Sequence, residues 1–317
     1  MSEQTTRPGP REGQALPPAC GRVPLRYRSP DEDSGRWSSF AFRPGDVVIS
    51  TRSKHGTTWM QMICALLVLQ TTELPAPLAE LSPWLDWLVL PQDEVLDRLQ
   101  RQQHRRFLKT HTPLDGVPLD PQASYVVVCR HPLDAAVSLY HQGGNLDRQR
   151  MHQLLGGPAP AGPPPVRPVL PDWLDAWIDR EADPRLDLDS LPGVLHHLSD
   201  AWARRADGNV VLVHYDDLVA DLEGQMRGLA HRLGIQVPEH RWPSLVAAAG
   251  FPAMRERAAQ LAPDPVGVLR DRGAFFRRGG SGAAGEVLSD EQIARYEAKA
   301  AHLAPADLLA WLHRAPQ

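Results

Sequence analysis

The stretch that decides the fold is residues 46–59, Asp-Val-Val-Ile-Ser-Thr-Arg-Ser-Lys-His-Gly-Thr-Thr-Trp, where a strand pattern runs through a short loop into a helix pattern. The β-branched apolar run 47–49 is typical of a strand that is buried on both faces. From Trp59 onwards, apolar residues recur at helical spacing. The loop between the two elements therefore lies at a helix N-terminus.

This loop predicts a binding site for phosphate or sulfate. Unpaired backbone N–H groups and the positive end of the helix dipole point into such a loop. Gly56 lets the backbone approach a ligand, Thr57 and Thr58 add hydroxyl donors, and Lys54 adds a positive charge. The usual nucleotide-binding loop has its lysine after the second glycine, whereas Lys54 precedes the only glycine here. A plain strand–helix turn with an exposed lysine explains these residues equally well.

Composition limits the class of protein. The chain has 317 residues, 42% of them hydrophobic, and a net charge of −4, so it can bury a large core but has no overall basic field for nucleic acid or an anionic membrane. Cys20, Cys64 and Cys129 have no C-x-x-C spacing, which disfavours a disulfide framework or a zinc site and fits a reducing cytoplasm. The longest apolar run, residues 63–69, is too short to span a membrane.

The chain is predicted to form one domain over residues 36–317. Residues 1–35 have no apolar run long enough for a signal peptide and are expected to be flexible. Residues 156–171 are rich in Pro and Gly and predict a loop or polyproline insertion, which could cover the acceptor site. Near-continuous apolar strands alternate with helices, which predicts an α/β fold of three layers with a central parallel sheet.

Polar candidates follow two later strands. Residues 106–110 predict a strand that ends at His111, and residues 125–129 predict a strand followed by Arg130. Functional side chains gather at the carboxyl ends of parallel strands, and Arg130 could share one phosphate with Ser138, two helical turns further on. The alternatives are a structural His, an Arg paired with a carboxylate and a packed Ser.

Several stretches resemble motifs of the cytosolic sulfotransferase family, whose members use 3′-phosphoadenylyl sulfate (PAPS). Residues 54–59 resemble K-S-G-T-T-W, the loop that cradles the 5′-phosphosulfate. Residues 109–114 resemble K-S/T-H-L-P-L, whose His is the general base. Residues 130–141 resemble the R-N-P-K-D-x-x-V-S-x-Y signature, in which Arg and Ser hold the 3′-phosphate. The resemblance extends over roughly residues 36–300 and implies a bacterial-like member with a P-loop-like fold.

Three later stretches continue the resemblance in family order. Tyr215 matches a Tyr near the adenine, residues 248–254 match the segment that packs on the purine, and residues 275–285 match the loop that closes over the 3′-phosphate. There are departures, since His55 replaces a Ser, Ala249 replaces a hydroxyl-bearing residue, and the D-W-K ending of the last loop is absent. The family's dimer motif is not found, so the oligomeric state stays open.

The resemblance implies the following site. His111 would be the base, Lys54 would neutralise charge on the bridging and leaving oxygens, and Lys109 would support the same oxygens. The implied binding residues for PAPS, and for its product adenosine 3′,5′-bisphosphate (PAP), are Lys54, His55, Gly56, Thr57, Thr58, Trp59, Arg130, Ser138, Tyr215, Phe251, Met254, Arg277, Arg278 and Gly279. No metal is implied.

The implied function is transfer of a sulfuryl group from PAPS to a hydroxyl of a small-molecule acceptor, such as a phenol, an alcohol or a natural product. Two alternatives remain: a P-loop nucleotide kinase, which would need magnesium and ATP, and a catalytically inactive nucleotide-binding relative. The acceptor is not legible in the sequence. Trp84 and Trp87 could line an apolar acceptor pocket or could simply belong to the core.

Overall fold

The computed structural model describes residues 23–157 and 166–314. Its centre is a four-stranded parallel sheet in the order β2-β1-β3-β4. The strands are β1 (Val47–Ser50), β2 (Phe107–Thr110), β3 (Ser124–Cys129) and β4 (Val210–His214). The predicted α/β fold with a parallel sheet is confirmed.

Helices connect the strands and cover both faces of the sheet. They are α1 (Thr57–Leu69), α2 (Leu78–Leu81), α3 (Gln92–Arg101), α4 (Pro132–Asn145), α5 (Arg148–Leu154), α6 (Leu170–Asp179), α7 (Leu191–Ala203), α8 (Tyr215–Ala220), α9 (Leu222–Arg232), α10 (Trp242–Ala249), α11 (Phe251–Glu256), α12 (Ala258–Leu261), α13 (Arg272–Phe275), α14 (Asp290–Leu303) and α15 (Ala306–Leu312). Short 3-10 helices are formed by Ser34–Ser39, Leu114–Gly116 and Glu239–Arg241. In the part of the chain that the structure describes, no helix combines the length and the apolar character needed to cross a bilayer.

Alternate residues of each central strand enter two different hydrophobic clusters. Val47 and Ile49 pack in the cluster that contains the buried side chains of α1 and α10, whereas Val48 packs in the cluster that contains those of α4, α6 and α7. Since side chains of a strand point alternately to the two faces of a sheet, both faces of β1 are buried. This explains why the sequence of β1 is apolar without interruption.

The strand register brings the functional loops to one edge. Ser50 of β1 pairs with Thr110 of β2, and Cys129 of β3 pairs with His214 of β4. The carboxyl ends of parallel strands face the same way, so the loops that follow all four strands meet at one edge of the sheet.

The chain is already packed before position 36, where the sequence placed the start of the domain. Tyr27 is 1% exposed and its hydroxyl donates a hydrogen bond of 2.7 Å to Asp115. The backbone N–H of Leu25 donates to the Asp115 carbonyl, and that of Asp33 donates to the Asp86 carbonyl. Residues 23–35 therefore form an ordered strap over the domain. The rest of the predicted flexible segment, residues 1–22, and residues 158–165 of the predicted insertion lie outside the described residues.

Candidate active site

One cavity of about 470 Å³ lies at the edge where the strands end. It is lined by residues from each of the stretches that carried the family resemblance. The predicted site residues that line it are Lys54, Gly56, Thr57, Thr58, Trp59, Lys109, His111, Arg130, Ser138, Tyr215, Phe251, Met254, Arg277, Arg278 and Gly279. The structure thus brings together residues that are up to 225 positions apart, from Lys54 to Gly279 (279 − 54).

The loop before α1 has the backbone geometry of an anion cradle. Gly56 caps α1 with φ 105°, and among the residues that the structure describes no side chain caps the first turn of this helix. A Cβ atom at position 56 would lie 3.1 Å from the Tyr215 ring, so the left-handed backbone and the close ring both favour glycine. The uncapped N–H groups at the start of the helix remain available to an anion.

Lys54 occupies a cluster of positive charges. Burial, together with the nearby cations Arg130, Lys109 and Arg277, lowers the pKa of its ammonium to about 7. Its Nζ lies 4.0 Å from the centre of the Phe275 ring. A bound anion would stabilise the protonated form of a lysine that is surrounded by other cations in this way.

Arg130 connects two loops that are far apart in sequence. Its Nη1 donates to the Lys54 carbonyl at 3.1 Å, its Nη2 donates to the Gly280 carbonyl at 2.8 Å, and its guanidinium lies 4.3 Å from the centre of the Tyr215 ring. Within the described residues, its buried Nε has no hydrogen-bond partner. Arg130 therefore holds the loop of residues 277–280 beside the anion cradle and keeps one donor free.

The 277–280 loop is shaped by close packing. Gly279 has φ 72°, and a Cβ atom there would lie 2.3 Å from the Phe251 ring, which leaves room for glycine alone. Asp134 of α4 accepts hydrogen bonds from the N–H groups of Gly282 (2.8 Å) and Ala284 (3.0 Å). Arg277 is exposed and lies near the cations Arg278 and Arg130, and Arg278 pairs with Glu286 at 2.7 Å. Asp134, which the sequence motifs did not single out, therefore holds the backbone that follows this loop.

Aromatic residues form a separate wall of the cavity. The Trp59 and Tyr215 rings meet edge to face with centroids 5.4 Å apart, and Trp59 donates from Nε1 to the Ala249 carbonyl at 2.8 Å. Phe251 and Met254 also line the cavity. Ala249, one of the departures from the family pattern, thus supports this wall through its backbone.

His111 is oriented as a base. Its Nδ1 lies 2.5 Å from the Thr51 carbonyl, and because a carbonyl can only accept, Nδ1 carries the proton and Nε2 has a free lone pair. Burial, followed by the charges of Lys109 and Arg52, holds the pKa of His111 well below its usual value. The imidazole is therefore neutral at physiological pH.

Asp86 holds the strand end that carries His111. The hydroxyls of Thr110 and Thr112 both donate to its carboxylate, the latter at 2.6 Å, and Trp37 Nε1 donates to it at 3.3 Å. Asp86 is fully buried. Sequence reasoning missed it because nothing near Asp86 in the chain indicates a partner 24 residues away.

His55 is the predicted site residue that does not line the cavity. Its ring is fully buried, Nδ1 lies 3.0 Å from the Ser53 carbonyl, and burial lowers its pKa to about 4. The imidazole is buried away from the cavity. Residue 55 can therefore contact a ligand through its backbone N–H group but not through its side chain.

A model of the sulfotransferase domain matches residues 44–302. This chain belongs to the sulfotransferase family. Glycolipid sulfotransferases of Mycobacterium bovis and Mycobacterium tuberculosis are each 40% identical to it, over 90% of this chain and 93% of theirs. Rat sulfotransferase 1A1 is 25% identical over 84% of this chain and 87% of its own length. The chain is thus a sulfotransferase with bacterial relatives, as the motifs predicted.

Solved structures share the fold. Retinol dehydratase in a complex with retinol and PAP matches with a TM-score of 0.64 and 20% identity, over 90% of this chain and 89% of that one. A mouse sulfotransferase complexed with PAP matches with a TM-score of 0.61 and 18% identity, over 88% and 91%. The predicted P-loop-like fold and sulfotransferase activity are confirmed, and the nucleotide kinase alternative is not favoured.

The other half of the sulfotransferase cavity comes from segments that carried no motif. The strap contributes residues 27–32, the segment before β2 contributes Trp84 and Trp87, and the loop before α7 contributes residues 185–189. The indoles of Trp84 and Trp87 stack with centroids 5.2 Å apart and planes at an angle of 3°. The rings of Trp84 and His111 meet edge to face with centroids 4.7 Å apart. Trp84 and Trp87, which the sequence could not assign to either a pocket or the core, therefore line the cavity.

Lys109 and Arg52 adjoin this half of the site. Lys109 Nζ lies 4.1 Å from the centre of the Trp84 ring, and burial lowers its pKa to about 8 against the opposing influence of Glu32 and Asp86. Arg52 donates from Nη1 to the carbonyl of His111 and from Nε to Asp189 at 2.9 Å. Arg52 was part of the stretch that decides the fold, but its role depends on partners elsewhere in the chain.

Proposed function

We propose that this sulfotransferase transfers the sulfuryl group of PAPS to a hydroxyl of an amphiphilic small molecule, with His111 as the general base. The observation that carries the proposal is that one cavity joins the cationic cradle of Lys54, Arg130 and Arg277 to the neutral imidazole of His111. The oriented, neutral His111 also supports an active enzyme over an inactive relative, because nucleotide binding alone needs no base.

The residues of the cradle fit a nucleotide that carries an anionic group at both its 3′ and its 5′ position. The N–H groups of residues 56–58 and Lys54 suit the 5′-phosphosulfate, and the free Nε of Arg130 with Ser138 and Arg277 suits the 3′-phosphate. The aromatic wall suits the adenine. Two of the solved structures that share the fold are complexes with PAP, which supports PAPS as donor and PAP as product.

The reaction needs positioning and charge neutralisation more than covalent help from the protein. His111 Nε2 takes the proton of the acceptor hydroxyl while that oxygen forms a bond to sulfur. The bond from sulfur to the phosphate oxygen breaks, and its electron pair leaves with PAP. Lys54 neutralises the charge that develops on the leaving oxygen, Lys109 assists, and both act in a buried site where such contacts are strong.

A glycolipid is the proposed acceptor class. The relatives that are 40% identical are named glycolipid sulfotransferases. Stacked indoles and the side chains of Leu146, Met151, Leu186 and Leu269 give the acceptor half an apolar surface beside its charged groups. A molecule with an apolar chain and a hydroxylated head matches this mixture.

The domain and compartment proposals follow from the packing. The larger hydrophobic cluster includes residues from Trp37 to Leu312, which supports a single domain. Cys64 and Cys129 are free and buried, which supports a reducing cytoplasm.

The proposal is tested by titration calorimetry with PAP, and with ATP or ADP plus magnesium, followed by mass spectrometry of acceptors incubated with PAPS and enzyme. We expect PAP to bind without magnesium and more tightly than ATP, and octyl glucoside to gain one sulfuryl group. Preferential binding of magnesium–ATP would overturn the donor assignment. Tight PAP binding with no turnover on glycosides, alcohols or phenols would favour the inactive relative.

A further inference from the structure

The acceptor half contains a partly buried acid that the proposed mechanism does not use. Glu32 lies on the strap, lines the cavity and has a side chain that is 12% exposed. Within the described residues its carboxyl group makes no hydrogen bond, and Arg52 Nη2, its ion-pair partner, is 3.8 Å away. A buried polar group that faces a cavity without a hydrogen bond is costly unless a ligand completes it.

Glu32 stands on the same wall as the catalytic base. Its backbone pairs with Trp87, and the backbone of Trp84 pairs with Lys109, two residues before His111. The stacked indoles of Trp84 and Trp87 thus lie between Glu32 and His111 as an apolar wall. A ring-shaped acceptor that packs on this wall would place one hydroxyl at His111 and another towards Glu32.

The surroundings favour a neutral ligand group over a cationic one. Burial, together with the carboxylates of Asp86, Asp31 and Asp189, raises the pKa of Glu32 to about 8 against the opposing influence of Arg52. A neutral carboxyl group both donates and accepts hydrogen bonds, as does a hydroxyl, whereas an ammonium group would need the ionised form.

Arg52 does not supply the hydrogen bond that the Glu32 carboxyl group lacks. Its Nε and Nη2 bind Asp189, each at 2.9 Å, and its Nη1 binds the carbonyl of His111. The guanidinium is therefore well supplied with acceptors before Glu32 is considered. The separation of 3.8 Å between Arg52 and Glu32 is too long for a hydrogen bond.

We infer that Glu32 is an acceptor-binding residue that holds a second hydroxyl of a sugar ring while the reacting hydroxyl faces His111. Glu32 would then make the enzyme select polyhydroxylated acceptors over simple alcohols. The inference rests on the proposed function and adds the residue that recognises the sugar. A site built to bind a hydroxyl discriminates strongly against acceptors without it, because its polar group is then left unpaired.

The test compares octyl glucoside, octanol and tyramine as acceptors for the wild type, Glu32→Leu and Glu32→Gln. We expect Glu32→Leu to lower the ratio of kcat/KM for octyl glucoside to that for octanol by about 10-fold, mainly through KM. Glu32→Gln, which keeps one donor and one acceptor, should lower the ratio by about 3-fold. The exposed Glu94 on α3 provides the matched control, and Glu94→Gln should leave the ratio unchanged.

Each other result overturns the inference. An unchanged ratio in both Glu32 variants would remove Glu32 from sugar recognition, and an equal loss on both acceptors would assign it a structural role. Preference of the wild type for tyramine that is lost in Glu32→Gln would assign an ammonium group instead. If the wild type used octanol or tyramine but not octyl glucoside, the sugar would not be the acceptor group, although sulfuryl transfer itself would still be supported. Failure of the wild type to bind PAP would instead refute the proposed function. Calorimetry with PAP on each variant confirms that the fold and the donor site are intact.

Discussion

The proposed donor half and the proposed acceptor half of the cavity are built in different ways. The donor half begins with one continuous strand–loop–helix unit, residues 47–69, whose loop geometry is set by neighbours in the sequence. The acceptor half is assembled from the strap, the stacked tryptophans and the 185–189 loop, which meet only in the folded chain. A site formed by consecutive residues can be recognised as a sequence motif, whereas a site assembled from distant segments has no such local pattern. This difference explains why the donor can be predicted from the sequence and the acceptor cannot.

The largest expected effect lies at the border between the halves. His111→Ala should lower kcat by about 100- to 10,000-fold, because it removes the neutral base that the Thr51 carbonyl orients. The PAP dissociation constant should stay within about two-fold of the wild type, since the imidazole is uncharged and contributes little to anion binding. Steady-state kinetics and calorimetry measure the two quantities.

The control for His111 is His231→Ala on the exposed surface of α9, which should change neither quantity. If His111→Ala kept near-wild-type turnover, His111 would not be the base, and the reacting groups would have to meet at another position in the cavity.

The next effect tests whether the donor half acts independently. Arg130→Leu should weaken PAP binding by about 10- to 100-fold, because it removes a charged donor to the nucleotide and the bridge between the Lys54 and Gly280 carbonyls. The KM of the acceptor at saturating PAPS should change far less. Calorimetry and kinetics at several PAPS concentrations separate the two.

Arg101→Leu, at an exposed site on α3, controls for loss of one positive charge. An Arg130→Leu enzyme with unchanged PAP affinity but a raised acceptor KM would show that the two halves are not separable in this way.

The smallest effect is a pH dependence of the donor half. The pKa of Lys54 is about 7 in the free enzyme and should rise when a phosphate binds, so the protonated form binds PAP more tightly. Affinity for PAP should therefore be lost as pH rises above about 7, by up to about 10-fold per pH unit, with proton uptake on binding. Calorimetry in two buffers of different ionisation enthalpy between about pH 7 and about pH 8.5 measures both.

Lys54→Arg keeps its charge throughout this range and should flatten the profile. Lys109, whose pKa is about 8, also titrates there, so a profile that Lys54→Arg leaves intact would assign the effect to Lys109.

Much of the fold and the donor site could be predicted from the sequence, because both depend on local patterns. The apolar run 47–49 defines a strand that the structure extends by one residue to Ser50. Strand ends then placed His111 and Arg130 at one edge without any knowledge of side-chain contacts. The buried side chain of His55 could not be predicted, because a motif gives the position of a residue and not the direction of its side chain.

The remainder required the folded structure. Tyr27 lies among residues that predict a flexible segment, and its burial depends on Asp115, 88 positions away. Asp86, Asp134 and Glu32 are ordinary surface residues by type, and their burial follows from which loops meet at the cavity. No local pattern encodes such long-range contacts.

The guanidinium of Arg52 has a practical consequence for changing the acceptor range of this enzyme. It binds Asp189 on the acceptor wall and the backbone carbonyl of His111 at once, so a substitution at Asp189 reaches the reacting centre through a single side chain. Engineering at Asp189 would therefore alter turnover together with recognition. Leu186, which is 69% exposed at the rim and has no polar group to join that network, is the better position at which to widen the choice of lipid chain.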